Sequence, residues 1–178
     1  MKIFVGCSSR NVGNGDYTYA ADCIGGWIAE NGHDLVFGGC SEGLMGRVFR
    51  KVKGHGKVYA TLPKIYSNDL IRLDADIINV SDTINQRKDY YTGLADVLVY
   101  IPGGIGTLDE LISGIESRRS GEHKNPIVIV NENNFFGSLI DMLERIYNEN
   151  LASANVKNLY YVADTIDDAI KYLTEICK

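Results

Sequence analysis

The stretch VLVYIPGGIGTLDE, residues 97–110, decides the fold. Its first five residues are all apolar, and a strand without polar alternation is typical of a parallel sheet that is covered on both faces. Three glycines within four residues then predict a tight turn, and helix-forming residues follow it. The order strand, turn, helix is the repeating unit of α/β proteins.

The same order recurs along the whole chain. Short β-rich runs alternate with amphipathic stretches, and no repeat or linker interrupts them. We therefore predict an α/β fold, a Rossmann-like, doubly wound, mostly parallel sheet of about seven strands with helices on both faces, forming a single domain over residues 1–178. The predicted strands are residues 2–7, 34–38, 57–62, 76–80, 97–101, 127–130 and 160–162, the predicted helices are residues 17–31, 44–55, 83–94, 108–118, 138–150 and 165–176, and residues 67–75 are a predicted loop.

The composition limits the classes of partner. The 178 residues carry a net charge of −5 and no basic stripe, which argues against nucleic acid, whereas backbone N–H groups can still hold a small anion. The chain has no apolar run long enough to span a membrane and no signal peptide, so we expect a cytoplasmic protein without a membrane partner. The four cysteines are scattered and lack zinc spacing, so we expect reduced thiols and no metal site.

The glycine turn is typical of a phosphate cradle. Gly103, Gly104 and Gly106 let the backbone approach a ligand closely, and N–H groups at the positive end of the next helix face an anion. Thr107 can cap that helix and donate its hydroxyl to a phosphate oxygen. The alternative is an ordinary tight turn with a helix cap. The glycine density, and two acids expected in the first helical turn, favour the phosphate site.

Two further turns also follow strands and precede helices. Residues 37–46, FGGCSEGLMG, contain Gly39 and Gly43. Residues 6–10, GCSSR, contain Ser8. Because ligands of open α/β sheets bind at the carboxyl ends of the strands, we predict that the three turns form one site.

A charged segment, NQRKD at residues 85–89, lies on the helix before the VLVYI strand. Because that strand returns the chain to the same sheet edge, Arg87 can lie near Glu110, 23 positions later. An Arg buried beside a carboxylate keeps it ionised and orients it. A solvated charge cluster at a helix start explains the segment equally well, and spacing alone does not separate the two readings.

Together these segments resemble the LOG family, the cytokinin riboside monophosphate phosphoribohydrolases, whose bacterial relatives often carry the label lysine decarboxylase. The resemblance rests on PGGIGTLDE, the upstream QRK, GGCSEGLMG and GEHKNPIVIVN, and it covers nearly the whole chain. It implies a Rossmann-like homodimer that cleaves a nucleoside 5′-monophosphate into free base and ribose 5-phosphate. From the pairing of Arg87 with Glu110 and the lack of a metal-ligand cluster in the sequence, we expect no cofactor. By motif, the catalytic residues fall on Arg87 and Glu110. The phosphate and ribose contacts fall on Gly103, Gly104, Gly106, Thr107 and Lys88, and Ile105, Asp109, Ser8, Gly39 and Gly43 complete the predicted substrate-binding set.

The chain departs from the family pattern at three places. Ile84 and Asn85 stand where Met-His is frequent, Cys40 where a third Gly is common, and Ile105 where Tyr or Phe often follows the paired glycines. These departures leave the base undecided between adenine and N6-modified adenine. The chain has no recognisable lysine context for pyridoxal phosphate, so we expect no decarboxylase chemistry. The implied homodimer is expected to use residues 44–49 and 90–94.

The predicted reaction passes through an oxocarbenium-like sugar, which a carboxylate stabilises. We assign Glu110 to that role and to orienting the attacking water, while Arg87 holds Glu110 or the ribose hydroxyls. Asp109 is either a helper or a complement to the helix dipole. Two alternatives stay open: a nucleotide-binding or carrier protein without turnover, and a site for another phosphorylated ligand. A dinucleotide fits poorly, because GCSSRNVG replaces the G-x-G-x-x-G fingerprint.

Overall fold

The computed structural model describes residues 1–11, 15–66 and 74–178. The predicted loop at 67–75 therefore lies outside the described residues except for its last two positions. Seven strands are found in the described part: β1 (Lys2–Gly6), β2 (Asp34–Phe37), β3 (Val58–Pro63), β4 (Ile77–Ser81), β5 (Val97–Tyr100), β6 (Ile127–Val130) and β7 (Tyr161–Ala163). The α-helices described are α1 (Gly15–Glu30), α2 (Gly43–Val52), α3 (Ile84–Leu94), α4 (Ile105–Ser120), α5 (Gly137–Asn148) and α6 (Ile166–Ile176), and short 3₁₀ helices cover Lys64–Tyr66, Glu132–Asn134 and Ala154–Leu159.

The strands form one sheet in the order β4-β3-β2-β1-β5-β6-β7, and every described pair is parallel. This confirms the predicted doubly wound α/β fold. The strand order reverses between β1 and β5, because the chain leaves β4 at one edge and returns beside β1. Open α/β sheets bind ligands at such a reversal, in the crevice beyond the carboxyl ends of the strands.

The apolar run of β5 is explained by the two cores that flank the sheet. Val97 and Val99 pack into the core shared with α1, α2 and α6, whereas Leu98 and Tyr100 pack into the core shared with α3, α4 and α5. All four side chains are fully buried. Burying an aliphatic side chain of this size contributes about 1.5–3 kcal/mol, so neither face of the strand tolerates a polar residue.

The predicted bounds of the elements differ most at two helices. α2 ends at Val52 rather than at residue 55, because Lys53 leaves the helical conformation and Gly54 has a φ of +88°. α4 begins at Ile105 rather than at residue 108, because the helix starts inside the glycine turn. The three turns that were predicted to form one site follow β1, β2 and β5, so they all lie at the carboxyl edge of the parallel sheet.

Candidate active site

A cleft of about 590 Å³ opens over the ends of β1, β2, β3 and β5. It lies at the reversal of strand order, where the sequence analysis placed the site. Nine of the predicted site residues line it: Ser8, Gly39, Arg87, Gly104, Ile105, Gly106, Thr107, Asp109 and Glu110.

A buried ion pair forms the floor of the cleft. Arg87 Nη2 lies 2.6 Å from Glu110 Oε1, and the two side chains are only 11% and 4% exposed. Arg87 Nε donates a second hydrogen bond to the carbonyl oxygen of Thr61, 2.9 Å away at the end of β3. Of the two readings that the sequence left open, the structure shows the contact of Arg87 with Glu110, and the solvated charge cluster is wrong for Arg87.

The start of α3 holds Arg87 in place. Thr83 caps this helix by accepting a hydrogen bond from the N–H of Gln86, and the Gln86 side chain accepts one from the N–H of Thr83. Such a reciprocal capping box satisfies N–H groups that the first turn of a helix leaves without partners. Arg87 follows Gln86 directly, so its side chain extends from a helical turn whose backbone is held by these hydrogen bonds.

The two carboxylate oxygens of Glu110 differ in their surroundings. Glu110 Oε2 is buried and has no hydrogen-bond partner among the described residues. Burial raises the pKa of Glu110, and the charge of Arg87 opposes this increase. A carboxylate with one oxygen anchored by Arg and the other without a partner is suited to orient a water molecule or to face a developing positive charge.

The glycine turn presents the N-terminus of α4 to the cleft. Gly104 is the N-cap residue, and the first helical hydrogen bond runs from the N–H of Leu108 to the Gly104 carbonyl at 3.1 Å. The N–H groups of Ile105, Gly106 and Thr107 therefore have no acceptor within the helix, and all three residues line the cleft. This is the arrangement that binds phosphate at helix N-termini.

Two details of the predicted cradle are wrong, and a third residue of it lies outside the cleft. Thr107 does not cap α4, because it lies inside the first turn and Gly104 makes no side-chain cap. Asp109 and Glu110 are not in the first turn, because the helix begins three residues earlier than predicted. Gly103 does not line the cleft: a Cβ there would collide with Thr107 Oγ1, so this glycine allows the turn to close on the helix.

The other two turns meet beside the cradle. The backbone N–H of Met45 donates to the Ser8 carbonyl at 3.1 Å, which joins the start of α2 to the β1 turn. Gly43 does not line the cleft and has a φ of +61°, and a Cβ at this position would lie 2.5 Å from the Arg10 carbonyl oxygen. Gly39, with a φ of +74°, does line the cleft.

Lys88 points away from the cleft. Its Nζ lies 3.0 Å from Asp109 Oδ1 and 2.9 Å from Ser113 Oγ, on the side of α4 that faces α3. Asp109 lines the rim of the cleft, so Lys88 neutralises a carboxylate that would otherwise repel an anion. A direct contact of Lys88 with substrate stays a prediction.

The sequence analysis missed the apolar wall of the cleft. Tyr66 and Ile84 line it together with Met45, and their exposed fractions are 52% and 48%. Ile105, at 83%, stands exposed above the cradle. Tyr66 could have been found, because it follows β3 at the same sheet edge as the three glycine turns.

Cys7 and Arg10 are further lining residues that were not assigned a role. Burial, and then the charge of Glu110, raise the pKa of the Cys7 thiol, which favours its protonated form. This agrees with the expectation that the cysteines are ordinary thiols. Arg10 is exposed and lines the same cleft as the N-terminus of α4.

The described ranges contain neither a cluster of metal ligands nor a membrane-spanning helix. In residues 1–11, 15–66 and 74–178, no three His, Cys, Asp or Glu side chains are placed to share a metal ion. No helix within these ranges combines the length and apolarity that crossing a membrane requires.

Some of the apolar side chains that were expected at a dimer interface pack within the chain. Leu44, Val48 and Tyr91 are buried, and Phe49 stacks on Phe37 with ring centroids 5.8 Å apart. The use of residues 44–49 and 90–94 in an interface stays a prediction. The homodimer itself stays a prediction.

Comparisons with known proteins place the chain in a family. The family model described as "Possible lysine decarboxylase" matches residues 45–173. Two cytokinin riboside 5′-monophosphate phosphoribohydrolases of Arabidopsis thaliana are each 30% identical to it over 98% of this chain, which spans 82% and 83% of their lengths. The Moco carrier protein from Chlamydomonas reinhardtii shares the fold, with a TM-score of 0.73 at 21% identity over 99% of this chain and 96% of that protein.

The class defined by fold and site is a Rossmann-like α/β protein with a helix N-terminus in a cleft beside a buried Arg–Glu pair. Within that class, the chain belongs to the LOG family. The resemblance inferred from the sequence is confirmed.

Proposed function

We propose that this chain is an enzyme that hydrolyses the N-glycosidic bond of a purine nucleoside 5′-monophosphate to free base and ribose 5-phosphate. The observation that carries the proposal is the buried Arg87–Glu110 pair, which lines the same cleft as the N-terminus of α4 and has one carboxylate oxygen without a partner. The names of the Arabidopsis relatives support the same reaction.

The phosphate is assigned to the free N–H groups at residues 105–107, with Arg10 as an additional positive charge. Anchoring the phosphate places C1′ of the ribose over Glu110, so that binding energy from a remote group orients the reacting bond. The apolar wall formed by Met45, Tyr66 and Ile84 offers a surface for the base. Nothing in that wall selects between adenine and an N6-modified adenine.

In the reaction, a water oxygen forms a bond to C1′ as the bond from C1′ to the base nitrogen breaks. Glu110 faces the positive charge that develops on the sugar and accepts a proton from the water. The base leaves with the bonding electron pair and takes up one proton from solvent, and Glu110 returns to solvent the proton that it accepted from water. Arg87 keeps Glu110 anchored through Oε1, so only Oε2 takes part.

The direct test is incubation with AMP and with an N6-isopentenyl AMP, with chromatographic detection of the free base and ribose 5-phosphate. We expect both products in equal amounts, and we expect EDTA to leave the rate unchanged, since the proposed chemistry is assigned to Arg87 and Glu110 alone. Tight binding of either nucleotide with no free base released would reject the enzyme.

A nucleotide-binding or carrier protein is the second candidate, because the Moco carrier protein has the same fold. A carrier has no need for an unpartnered carboxylate oxygen at the floor of its cleft. Binding without turnover in the test above is the result that would favour the carrier.

The pH dependence of turnover offers an independent prediction. Glu110 must be ionised to act, and burial raises its pKa, so the acidic limb of the kcat profile is expected above the usual glutamate value of about 4.3. The effect on stability has the opposite sign. Because the pKa of Glu110 is higher in the folded than in the unfolded protein, this group stabilises the fold at pH values below its unfolded pKa. That stabilisation is lost as the pH rises through the folded-state pKa. A kcat profile that stays flat down to pH 4 would contradict the assignment of Glu110.

A further inference from the structure

At the end of β1, Gly6 lies against Glu110 and against the ring of Tyr100. The register of β1 and β5 pairs Gly6 with Tyr100. A Cβ built at Gly6 would lie 2.7 Å from Tyr100 Cδ1 and 3.1 Å from Glu110 Oε2. The ring of Tyr100 therefore occupies the space that a side chain at position 6 would need, directly beside the free carboxylate oxygen.

A second glycine bounds the same ring from the helix side. A Cβ at Gly114 of α4 would lie 3.0 Å from the hydroxyl of Tyr100. That hydroxyl donates a hydrogen bond of 3.0 Å to the backbone carbonyl of Glu110, and the whole side chain is inaccessible to solvent. We call the space between Gly6 and Gly114 the Tyr100 slot.

Tyr100, which fills the slot, lies between β1 and the turn of α4 that contains Glu110. The ring sets the distance between β1 and the turn of α4 that contains Glu110, and the hydroxyl ties that turn to β5. A fully buried ring has little freedom to shift, because protein interiors are packed as densely as organic crystals. Close support of this kind is what an active-site group needs to hold a productive geometry.

We propose that Tyr100 is a positioning residue that sets the placement of the Glu110 carboxylate, and that Gly6 and Gly114 are glycines because they leave room for its ring. The expected effect on kcat rests on the proposed function. The placement of Glu110 by Tyr100 rests on the contacts alone.

The test compares Gly6→Ala and Tyr100→Phe with two matched controls. Gly26→Ala, in α1, makes the same substitution where a Cβ meets nothing within 4 Å. Tyr161→Phe removes a hydroxyl that bonds Asp168 outside the cleft. For Gly6→Ala we expect kcat to fall at least tenfold, and for Tyr100→Phe three- to tenfold. KM should stay within threefold of the wild-type value in both, because the phosphate cradle is untouched, and the controls should stay within twofold in kcat.

The titration of Glu110 is a measurement that a general loss of stability would not change. We expect the acidic limb of the kcat profile to shift in Tyr100→Phe and not in Tyr161→Phe, because only the former changes the surroundings of the carboxylate. If Gly6→Ala does not fold, Tyr100→Phe decides the question, since it removes one oxygen. An unchanged kcat and an unchanged limb in Tyr100→Phe would overturn the proposal, as would an effect on KM alone.

A second measurement separates this proposal from the proposed function. The carboxyl ¹³C resonance of Glu110, assigned by its loss in Glu110→Gln, reports the pKa of that group in the unliganded protein. If the wild type hydrolyses no nucleotide, the proposed function fails, while a pKa that differs between wild type and Tyr100→Phe still supports the positioning role. An identical pKa in the two proteins overturns the positioning role whether or not the wild type turns over.

Discussion

Replacing Glu110 with Gln is expected to lower kcat by two or more orders of magnitude. The substitution keeps the size of the side chain and its bond to Arg87, but it removes the negative charge that faces the oxocarbenium-like sugar. Loss of one preorganised electrostatic contact costs about 3 kcal/mol in the transition state, which corresponds to this fall in rate. Binding of the monophosphate should change far less, because the N-terminus of α4 holds the phosphate and Glu110 would repel it.

The matched control is Glu116→Gln. Glu116 lies on the same helix but outside the cleft, where it is 59% exposed and paired with Arg119. Exposed ion pairs contribute little, so kcat and stability should both stay close to those of the wild type. If Glu110→Gln folds and retains kcat within threefold, the catalytic role is wrong and the carrier reading takes its place.

Replacing Arg87 with Ala is expected to reduce turnover at least a hundredfold and also to weaken nucleotide binding. The truncation leaves the carboxylate of Glu110 buried without its partner, so the pKa of Glu110 rises further. Breaking one half of a buried ion pair typically destabilises a protein by about 3–5 kcal/mol. Urea unfolding of the variant should therefore show a lower midpoint, and isothermal titration with AMP a weaker affinity.

Two comparisons identify the cause of that loss. Arg119→Ala breaks an exposed pair with side chains 51% and 59% accessible, and it should cost less than about 1 kcal/mol. The double variant Arg87→Ala with Glu110→Gln should be more stable than Arg87→Ala alone, because no buried charge is left without a partner. An Arg87→Ala protein with an unaltered urea midpoint and kcat would show that the pair supports neither the fold nor the reaction.

Arg87 and Lys88 are adjacent basic residues whose side chains lie in different surroundings. Arg87 turns into the cleft and Lys88 turns toward Asp109 and Ser113, because consecutive positions on a helix point about 100° apart. The rigid fork of Arg suits a buried carboxylate, whereas the single charge of Lys suits the half-exposed Asp109. Variants of the two residues should therefore not have the same effect.

The sequence by itself determined the layered α/β fold and the strand-to-helix turn that forms the anion cradle. Both follow from local rules: a strand that is apolar on both faces needs a covered parallel sheet, and closely spaced glycines allow a turn that side chains would block. The identity of Arg87 and Glu110 also came from the sequence, through motifs that resemble those of the LOG family. Their contact did not, because spacing left a solvated cluster equally open.

Only the tertiary structure decided the geometry around Glu110. Strand order brings β1 between β2 and β5, and this places Gly6 against a Tyr100 ring that is 94 positions away in the chain. The unpartnered oxygen of Glu110 and the space that Gly6 leaves for the Tyr100 ring both depend on atoms from distant segments of the chain. No local sequence pattern relates these segments to one another. The same reason explains why the start of α4 and the direction of Lys88 were missed: both depend on how the turn packs against Thr107 and how α3 packs against α4.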